Sequence, residues 1–187
     1  MHPDSSLTNQ LLIAMPGMAD PNFSTTVTLI CEHNDDGALG IIINRPLTLT
    51  LAGLFEQLDV DDPVSSEGSK AVVAGGPIGP ERGFVLHGAE QSYENTLPVS
   101  DAIHLTLSRD VIDAMASGTG PAKSLVALGY AGWGEGQLEQ EMLANSWLSV
   151  PATPELVFDT PFAERWDSAA RTLGIDMASL SMDAGHA

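Results

Sequence analysis

The chain has 187 residues, 43% of them hydrophobic and 17% charged, which is enough for a proper core and typical of a globular protein rather than a disordered one. Its 25 acidic and 7 basic residues give a net charge of −18, a field that repels the phosphate backbone of nucleic acids and anionic membrane surfaces. Direct nucleic-acid binding is therefore disfavoured, and most of the excess acid is interpreted as a solvated surface.

Cysteine content and hydropathy indicate the cellular compartment of the protein. A single cysteine, Cys31, excludes an intramolecular disulfide. The N-terminus has no basic segment of the signal-peptide type, and no apolar run approaches the roughly 18 residues of a membrane helix. These features predict a cytoplasmic protein without a membrane contact.

The first strong structural signal is a β-hairpin. Two apolar runs flank Asp36-Gly37, and Asp-Gly between β-type runs predicts a tight turn because a type I′ turn needs positive φ at both central residues. The first run alternates, so Val27, Leu29 and Cys31 are expected on one face of a strand. With a two-residue loop at this dipeptide, Cys31 lies opposite Ile42. Pro46 cannot donate to a strand ladder and is expected to end the second strand.

The remaining elements follow from apolar periodicity and turn residues. Further strands are predicted at residues 11–15, 71–74, 83–87, 102–107, 125–130, 147–150 and 156–158. Helices are predicted to begin near Leu51, after an N-cap at Ser108, after Gly136, and at Thr160-Pro161, with room for one more from Ile175. Strands outnumber helices, so the predicted class is α+β with a mixed sheet in one domain, residues 1–187, and residues 1–9 are expected to be frayed.

Cys31 has two interpretations. If neighbouring positive charge lowers the pKa of its thiol, it is a reactive or redox-sensing group, although Glu32 beside it acts in the opposite direction. Alternatively, it is a small buried hydrophobe that packs with Val27 and Leu29.

Asn44 and Arg45 follow the second strand of the hairpin. Arg45 is one of few cations in the chain, and its guanidinium could clamp a carboxylate or a phosphate in a bidentate manner. In so acidic a chain, it could equally pair with an acidic side chain for a structural purpose.

Two glycine-rich turns, residues 75–82 and 129–136, are further candidates. The second turn opens a helix, so its free N–H groups could hold an anion. Alternatively, both turns are tight connections of the scaffold, and neither matches a phosphate-loop or dinucleotide fingerprint. Trp133, Gln137 and Glu141 could line a pocket, because the last two lie four residues apart on one helical face. The candidates in the first turn are Gly75, Gly76, Pro77 and Arg82.

Catalytic and metal signatures are missing from the sequence. His33, His87 and His104 lack the pairwise spacing of a zinc site, and no HExxH, CxxC or GxSxG motif is present. No catalytic residue, cofactor or metal is therefore predicted.

Four stretches resemble the YqgE/AlgH family. They are LLIAMPGMADPNFSTTVTLICEHNDDGALGIIINRP (11–46), GGPIGPERGFVLH (75–87), GYAGWGEGQLEQEMLANSWL (129–148) and LVFDTPFAERWDSAARTLGID (156–176). The resemblance spans nearly the whole chain and implies one compact α+β unit on a large, mostly antiparallel mixed sheet with helices packed around it. Family members are largely uncharacterised bacterial proteins. One branch is described as a candidate transcriptional regulator of exopolysaccharide synthesis, and the family supplies no catalytic residues or cofactor.

The leading functional hypothesis is a non-enzymatic regulatory or binding protein. It would act through an unknown protein partner or a small anionic ligand held near Arg45, the turn at residues 75–77 and Trp133. The alternative is an enzyme of unrecognised class with a cleft formed by Arg45, His87 and Glu141. Direct DNA binding is a third possibility that the net charge opposes.

Overall fold

One curled sheet carries the fold. In the computed structural model, which describes residues 5–184, ten strands and five α-helices are formed. The strands are β1 (Gln10–Ala14), β2 (Val27–Asn34), β3 (Gly37–Ile42), β4 (Pro46–Thr50), β5 (Ala71–Ala74), β6 (Ile78–Gly88), β7 (Thr96–Pro98), β8 (Ile103–Thr106), β9 (Ser124–Trp133) and β10 (Trp147–Pro151). The helices are α1 (Leu51–Gln57), α2 (Asp110–Ala116), α3 (Gln137–Leu143), α4 (Arg165–Arg171) and α5 (Met177–Ala184).

Strand β9 joins the two parts of the sheet. The strand order is β10-β1-β2-β3-β9-β6-β8-β7, and β5 pairs both with β4 and with β9. The β5–β9 pairing is parallel and the other pairings between described strands are antiparallel. This is the α+β class with a mixed, mostly antiparallel sheet that the sequence predicted, in one compact domain.

The sheet is covered on both faces. Along β2, Leu29 and Cys31 face a cluster that α4 closes with Ala169 and Ala170, whereas Ile30 faces the opposite cluster with the indole rings described below. The alternation of apolar side chains in β2 therefore predicted the two faces correctly. Helices α1 and α2 cover a third cluster over the central strands. None of the helices in residues 5–184 is long and apolar enough to cross a bilayer.

The predicted hairpin is present, but its predicted register is wrong. The turn lies one residue before Asp36-Gly37, so that Gly37 already belongs to β3. Ile42 pairs with Thr28, and Cys31 lies unpaired in a β-bulge.

Gly37 serves a contact with β9 rather than the turn. Its φ is +137°, and a Cβ at this position would collide with the carbonyl oxygen of Trp133. Only glycine allows β3 to approach β9 this closely. The pairing register of β2 and β3 therefore depends on a contact with a residue 96 positions away as well as on the turn dipeptide.

Four other predictions are wrong. The helix predicted to begin at Thr160-Pro161 begins at Arg165, after a 3-10 turn at Phe162–Glu164, and the Thr160 hydroxyl donates to the Glu155 carbonyl instead of capping a helix. Residues 156–158 are not a strand, because Glu155–Asp159 forms a π-helical turn. Pro46 begins β4 instead of ending β3. Ser108 does not cap α2, since its hydroxyl donates to the Asp110 carboxylate and Arg109 occupies the N-cap position.

The N-terminal segment is attached where the structure describes it, whereas the sequence led us to expect fraying. The Leu7 N–H donates to Nδ1 of His33 at 2.9 Å, and the Asn9 N–H donates to the Ile30 carbonyl at 2.8 Å. Residues 1–4 of the expected frayed segment lie outside the described residues.

Candidate functional site

A cleft with aromatic walls lies between the loop after β1, the end of β9, α3 and the start of β10. Its volume is about 230 Å³. It is lined by Met18, Asp20, Phe23, Gly132, Trp133, Gln137, Glu141, Ser146 and Trp147. We call it the aromatic cleft.

The carboxylate of Glu141 organises the aromatic cleft. Its Oε1 accepts the indole N–H of Trp133 at 3.1 Å and that of Trp147 at 3.0 Å. Its Oε2 accepts from the side-chain amide of Gln137 at 2.9 Å, one turn earlier on α3. The structure thus brings together Trp133, Gln137 and Glu141, as their spacing suggested, and adds Trp147 from β10.

Phe23 completes the aromatic wall. Its ring centroid is 6.0 Å from that of Trp133 and 5.6 Å from that of Trp147, and the two indole centroids are 6.3 Å apart. Sequence reasoning did not single out Phe23, Trp147 or Asp20. Two of the three tryptophans of the chain flank α3, and that was the one available signal.

Arg45 holds the loop that carries Phe23 and does not reach into the cleft. Its guanidinium donates to the backbone carbonyls of Pro21 at 3.0 Å, Asn22 at 2.6 Å and Ser24 at 2.9 Å. Among residues 5–184, these bonds use the guanidinium donors on peptide carbonyls, and no acidic side chain pairs with Arg45. Arg45 is therefore a positioning residue for one wall of the cleft.

Asn44 also bonds to the backbone near this loop. Its side-chain carbonyl accepts from the Val27 N–H at 2.9 Å, and its amide donates to the Thr25 carbonyl at 2.9 Å. Asn44 thus fixes the entry into β2 and lies outside the lining of the cleft.

The two glycine-rich turns meet, but they pack backbone against backbone. A Cβ at Gly75 would collide with the Gly129 carbonyl oxygen, and one at Gly76 would collide with the Tyr130 carbonyl group. The Gly75 N–H donates to Leu128 and is not free for an anion. These glycines serve close strand packing.

The other two candidates of the first turn lie at the surface. Pro77 is exposed, and Arg82 is exposed with its guanidinium carbon 5.9 Å from the ring centroids of both Phe84 and Tyr130. Neither residue lines the aromatic cleft.

His87 belongs to a different, buried polar chain. Its Nδ1 lies 2.7 Å from the Gly88 carbonyl, which can only accept, so Nδ1 carries the proton. Its Nε2 then accepts from the Thr106 hydroxyl at 2.6 Å, and Thr106 in turn lies 2.8 Å from the hydroxyl of Thr96. Burial lowers the pKa of His87, and the nearby His104 adds to this effect against the Gly88 bond.

This histidine predicts a pH dependence of stability. The pKa in the folded protein lies below the ordinary value of 6.5, so the unfolded chain takes up the proton more readily. Stability is expected to be fully present above about pH 6.5 and to fall as the pH is lowered further. Between about pH 7 and about pH 5, urea unfolding should show a smaller decrease in the free energy of unfolding for His87→Gln than for the native chain.

Thr106→Val is the matched control for that series. It removes the hydroxyl that donates to Nε2 but keeps the imidazole, so it should lower the free energy of unfolding by about 1–2 kcal/mol at about pH 7. It should retain more of the loss of stability on acidification than His87→Gln, which lacks the titrating group. If the stability of His87→Gln fell on acidification as steeply as that of the native chain, His87 would not be the titrating group.

Cys31 is a core residue in the structure. It is 1% exposed and packs in the cluster that contains Val27 and Leu29. Burial, with Glu32 adding to it, raises the pKa of the Cys31 thiol, so little thiolate forms at neutral pH. This environment is the opposite of the one that activates a redox-sensing cysteine.

The burial of Cys31 predicts a slow reaction with thiol reagents. A chromogenic disulfide reagent should modify the native protein on the order of 100-fold more slowly than the urea-unfolded chain, because the thiol reacts only after local opening. N-acetylcysteine, measured with and without urea, corrects for the effect of urea on the reagent. Equal native and unfolded rates would contradict the burial.

The alternative enzyme site is not assembled. Glu141 lines the aromatic cleft, Arg45 bonds to the loop beside it, and His87 is fully buried between β6 and β8. The expectation that the three side chains share one cleft is therefore wrong, because strand β9 and its packed glycines separate β3 from β6. Among the described residues, no group of three or more His, Cys, Asp or Glu side chains is arranged to hold a metal ion.

Comparison with known proteins places the chain in a family. The family model for AlgH-like proteins matches residues 11–178. A UPF0301 protein of Nitrosococcus oceani is 53% identical over 179 residues, 96% of each chain. A UPF0301 protein of Thioalkalivibrio sulfidiphilus is 49% identical over 187 residues, the full length of both.

Solved structures agree with this assignment. The solution structure of the AlgH protein from Pseudomonas aeruginosa superposes with a TM-score of 0.81 at 47% identity, over 97% of this chain and 96% of that one. A crystal structure of a protein from Corynebacterium diphtheriae, 20% identical, shares the fold with a TM-score of 0.72 over 92% of this chain and 90% of that one. With the family model matched over residues 11–178 and relatives about half identical over nearly the whole chain, the chain is a member of the AlgH-like family.

Proposed function

We propose that this chain is a non-enzymatic binding protein of the bacterial cytoplasm, and that the aromatic cleft binds a cationic group of its ligand. The observation that carries the proposal is the Glu141 carboxylate, which receives both indole N–H groups of the cleft on one oxygen. A lone buried thiol suits a reducing compartment and supports the location. Regulation would follow from the occupancy of this cleft.

The geometry supports binding because the walls are preorganised. Trp133 and Trp147 are 6% and 3% exposed, and their N–H groups are fixed by a single carboxylate. Phe23 is fixed in turn by the bonds from Arg45 to the carbonyls of its loop. Rigid aromatic walls lose little conformational entropy when a ligand binds, and this favours affinity.

The charge of the lining favours a cation over the anion that the sequence suggested. Asp20 and Glu141 line the cleft, and no lysine, arginine or histidine is among its lining residues. The anion hypothesis depended on Arg45, whose guanidinium serves backbone carbonyls instead. A cation near aromatic faces and carboxylates gains both cation–π and Coulomb attraction.

A fluorescence titration tests the proposal, because two of the three tryptophans of the chain line the cleft. N-acetylarginine amide should change the emission with a dissociation constant on the order of 1–10 mM, and N-acetylglutamate should not. Glu141→Gln keeps an oxygen that can accept both indole N–H groups but removes the charge. It also places an amide donor where Oε2 accepted from the Gln137 amide, so the unfolding midpoint should fall modestly. Arginine binding should weaken about tenfold.

The control variant is Glu135→Gln, which removes one exposed acid just before α3 and leaves the cleft lining unchanged. It should bind N-acetylarginine amide like the native chain. The proposal is wrong if the anion binds as well as the cation, or if both variants behave alike.

A further inference from the structure

A second cavity continues the aromatic cleft along the protein surface. Its volume is about 460 Å³. It is lined by Met15, Pro16, Gly17, Met18, Ala19, Ala144, Asn145, Ser146 and Leu180. Met18 and Ser146 line both cavities, so the two adjoin at these residues. We call the second cavity the methionine groove and the two together the groove.

The two parts of the groove differ in chemistry. The aromatic cleft carries two carboxylates, whereas none of the described residues that line the methionine groove is charged. Met15 and Met18 are half-buried, and unbranched thioether side chains adapt to apolar groups of different shapes. One side of the methionine groove is firm, since the Met15 N–H donates to the Ser146 carbonyl at 3.1 Å.

The sizes of the two parts indicate an extended ligand. The aromatic cleft, at about 230 Å³, is smaller than the roughly 300 Å³ at which small-molecule sites begin, so it suits one side chain better than a whole metabolite. The methionine groove, which adjoins the aromatic cleft, adds space for apolar groups. A ligand that fills both therefore has a cationic end and an apolar end.

We propose that this groove binds a linear segment of a partner protein, in which an arginine or lysine occupies the aromatic cleft and a neighbouring apolar residue occupies the methionine groove. The inference rests on the cation site proposed above and adds the class of partner. Charge complementarity supports it, because a net charge of −18 attracts basic chains over long range and repels anionic lipid surfaces.

Four synthetic probes test the inference by fluorescence titration. The first is the hexapeptide acetyl-Gly-Leu-Leu-Gly-Arg-Gly-amide. The second replaces both of its leucines by serine, the third replaces its arginine by glutamine, and the fourth is N-acetylarginine amide. The full peptide should bind at least about tenfold more tightly than the serine peptide, since burial of one leucine accounts for such a factor. The glutamine peptide should lose binding at least as strongly.

Variants of the methionine groove separate this inference from the proposed function. Met15→Ser should reduce the affinity for the full peptide to that for the serine peptide, while N-acetylarginine amide binds as before. Gly17→Trp is a second variant, placed where a side chain would meet nothing within 4 Å, and it should block the groove with the same result. Leu143→Ser, at a position 83% exposed on α3 and outside both cavity linings, should leave all affinities unchanged.

The outcomes are distinct. If N-acetylarginine amide binds and the full peptide binds no better than the serine peptide, the cation site stands and the peptide groove is wrong. If neither the peptide nor N-acetylarginine amide binds, both proposals fall. Equal affinity for the glutamine peptide would show apolar capture without cation recognition and would also overturn the inference.

Discussion

Gly129→Ala is expected to lower the free energy of unfolding by about 3 kcal/mol or more. Gly129 has a φ of +79°, a left-handed conformation that costs a residue with a Cβ about 1–2 kcal/mol. The added Cβ would also lie 2.5 Å from the Gly76 carbonyl oxygen and 3.2 Å from that of Ile78. Backbone cannot move aside as a flexible side chain can, so the crowding adds about 1–3 kcal/mol.

Gly174→Ala separates conformational strain from the collision. Gly174 has a φ of +73°, nearly the same as Gly129, but an added Cβ there would meet nothing within 4 Å. It should therefore cost only about 1–2 kcal/mol. Urea unfolding followed by far-UV circular dichroism provides the measurement. Both variants are analysed with the same dependence of the free energy of unfolding on urea concentration. Equal losses would show that β5, β6 and β9 are not packed as tightly as described.

Arg165→Met is expected to destabilise the protein by about 3 kcal/mol, within the range for hydrogen bonds from a charged donor. Arg165 is 3% exposed, its Nε donates to the Thr160 carbonyl at 2.7 Å, and one terminal nitrogen donates to the Ile43 carbonyl at 2.6 Å. Its guanidinium carbon also lies 4.4 Å from the ring centroid of Phe162. Methionine fills a similar space but leaves both carbonyls without this donor.

Arg171→Met is the matched control, because Arg171 is exposed on the same helix and its loss should change the free energy of unfolding by less than about 0.5 kcal/mol. Arg165→Lys should fall between the two, since a single ammonium lacks the planar fork that reaches two carbonyls and stacks on the ring. Thermal unfolding of the three variants provides the comparison. An Arg165→Met protein as stable as Arg171→Met would rule out this role.

Burial of Arg165 changes the pKa of its side chain. Burial lowers the pKa of its guanidinium to about 10, with Asp159 acting in the opposite direction, yet the group remains charged at neutral pH. The charge is thus held by carbonyl dipoles and an aromatic face instead of a carboxylate within salt-bridge distance. Arg45 uses backbone carbonyls in the same way. In this chain, two of the few cations thus serve the scaffold.

Local patterns in the sequence predicted the elements that local physics controls. The alternation in β2 identified its two faces, because successive side chains of a strand point to opposite sides whatever the strand packs against. The apolar spacing after Leu51 identified α1. The α+β class and the mixed sheet followed from these elements.

Only the tertiary structure decided the rest. The turn dipeptide predicted the hairpin but not its register, since Gly37 is required by the approach of Trp133 from a distant strand. The pattern 156–158 is apolar enough for a strand, yet these residues pack as a π-helical turn. Arg45 could equally have bound an acid or an anion, and the folded loop supplied carbonyls instead.

The aromatic cleft combines contacts that the sequence predicted with contacts that only the tertiary structure forms. The spacing of Gln137 and Glu141 places them on one face of α3 in any helix, and so the sequence by itself brought these two together. The meeting of Phe23 with Trp133 and Trp147 depends on the curl of the sheet, which brings the loop after β1 against the ends of β9 and β10. Contacts across more than 100 residues depend on the packing of whole elements, and no local preference of the chain encodes them.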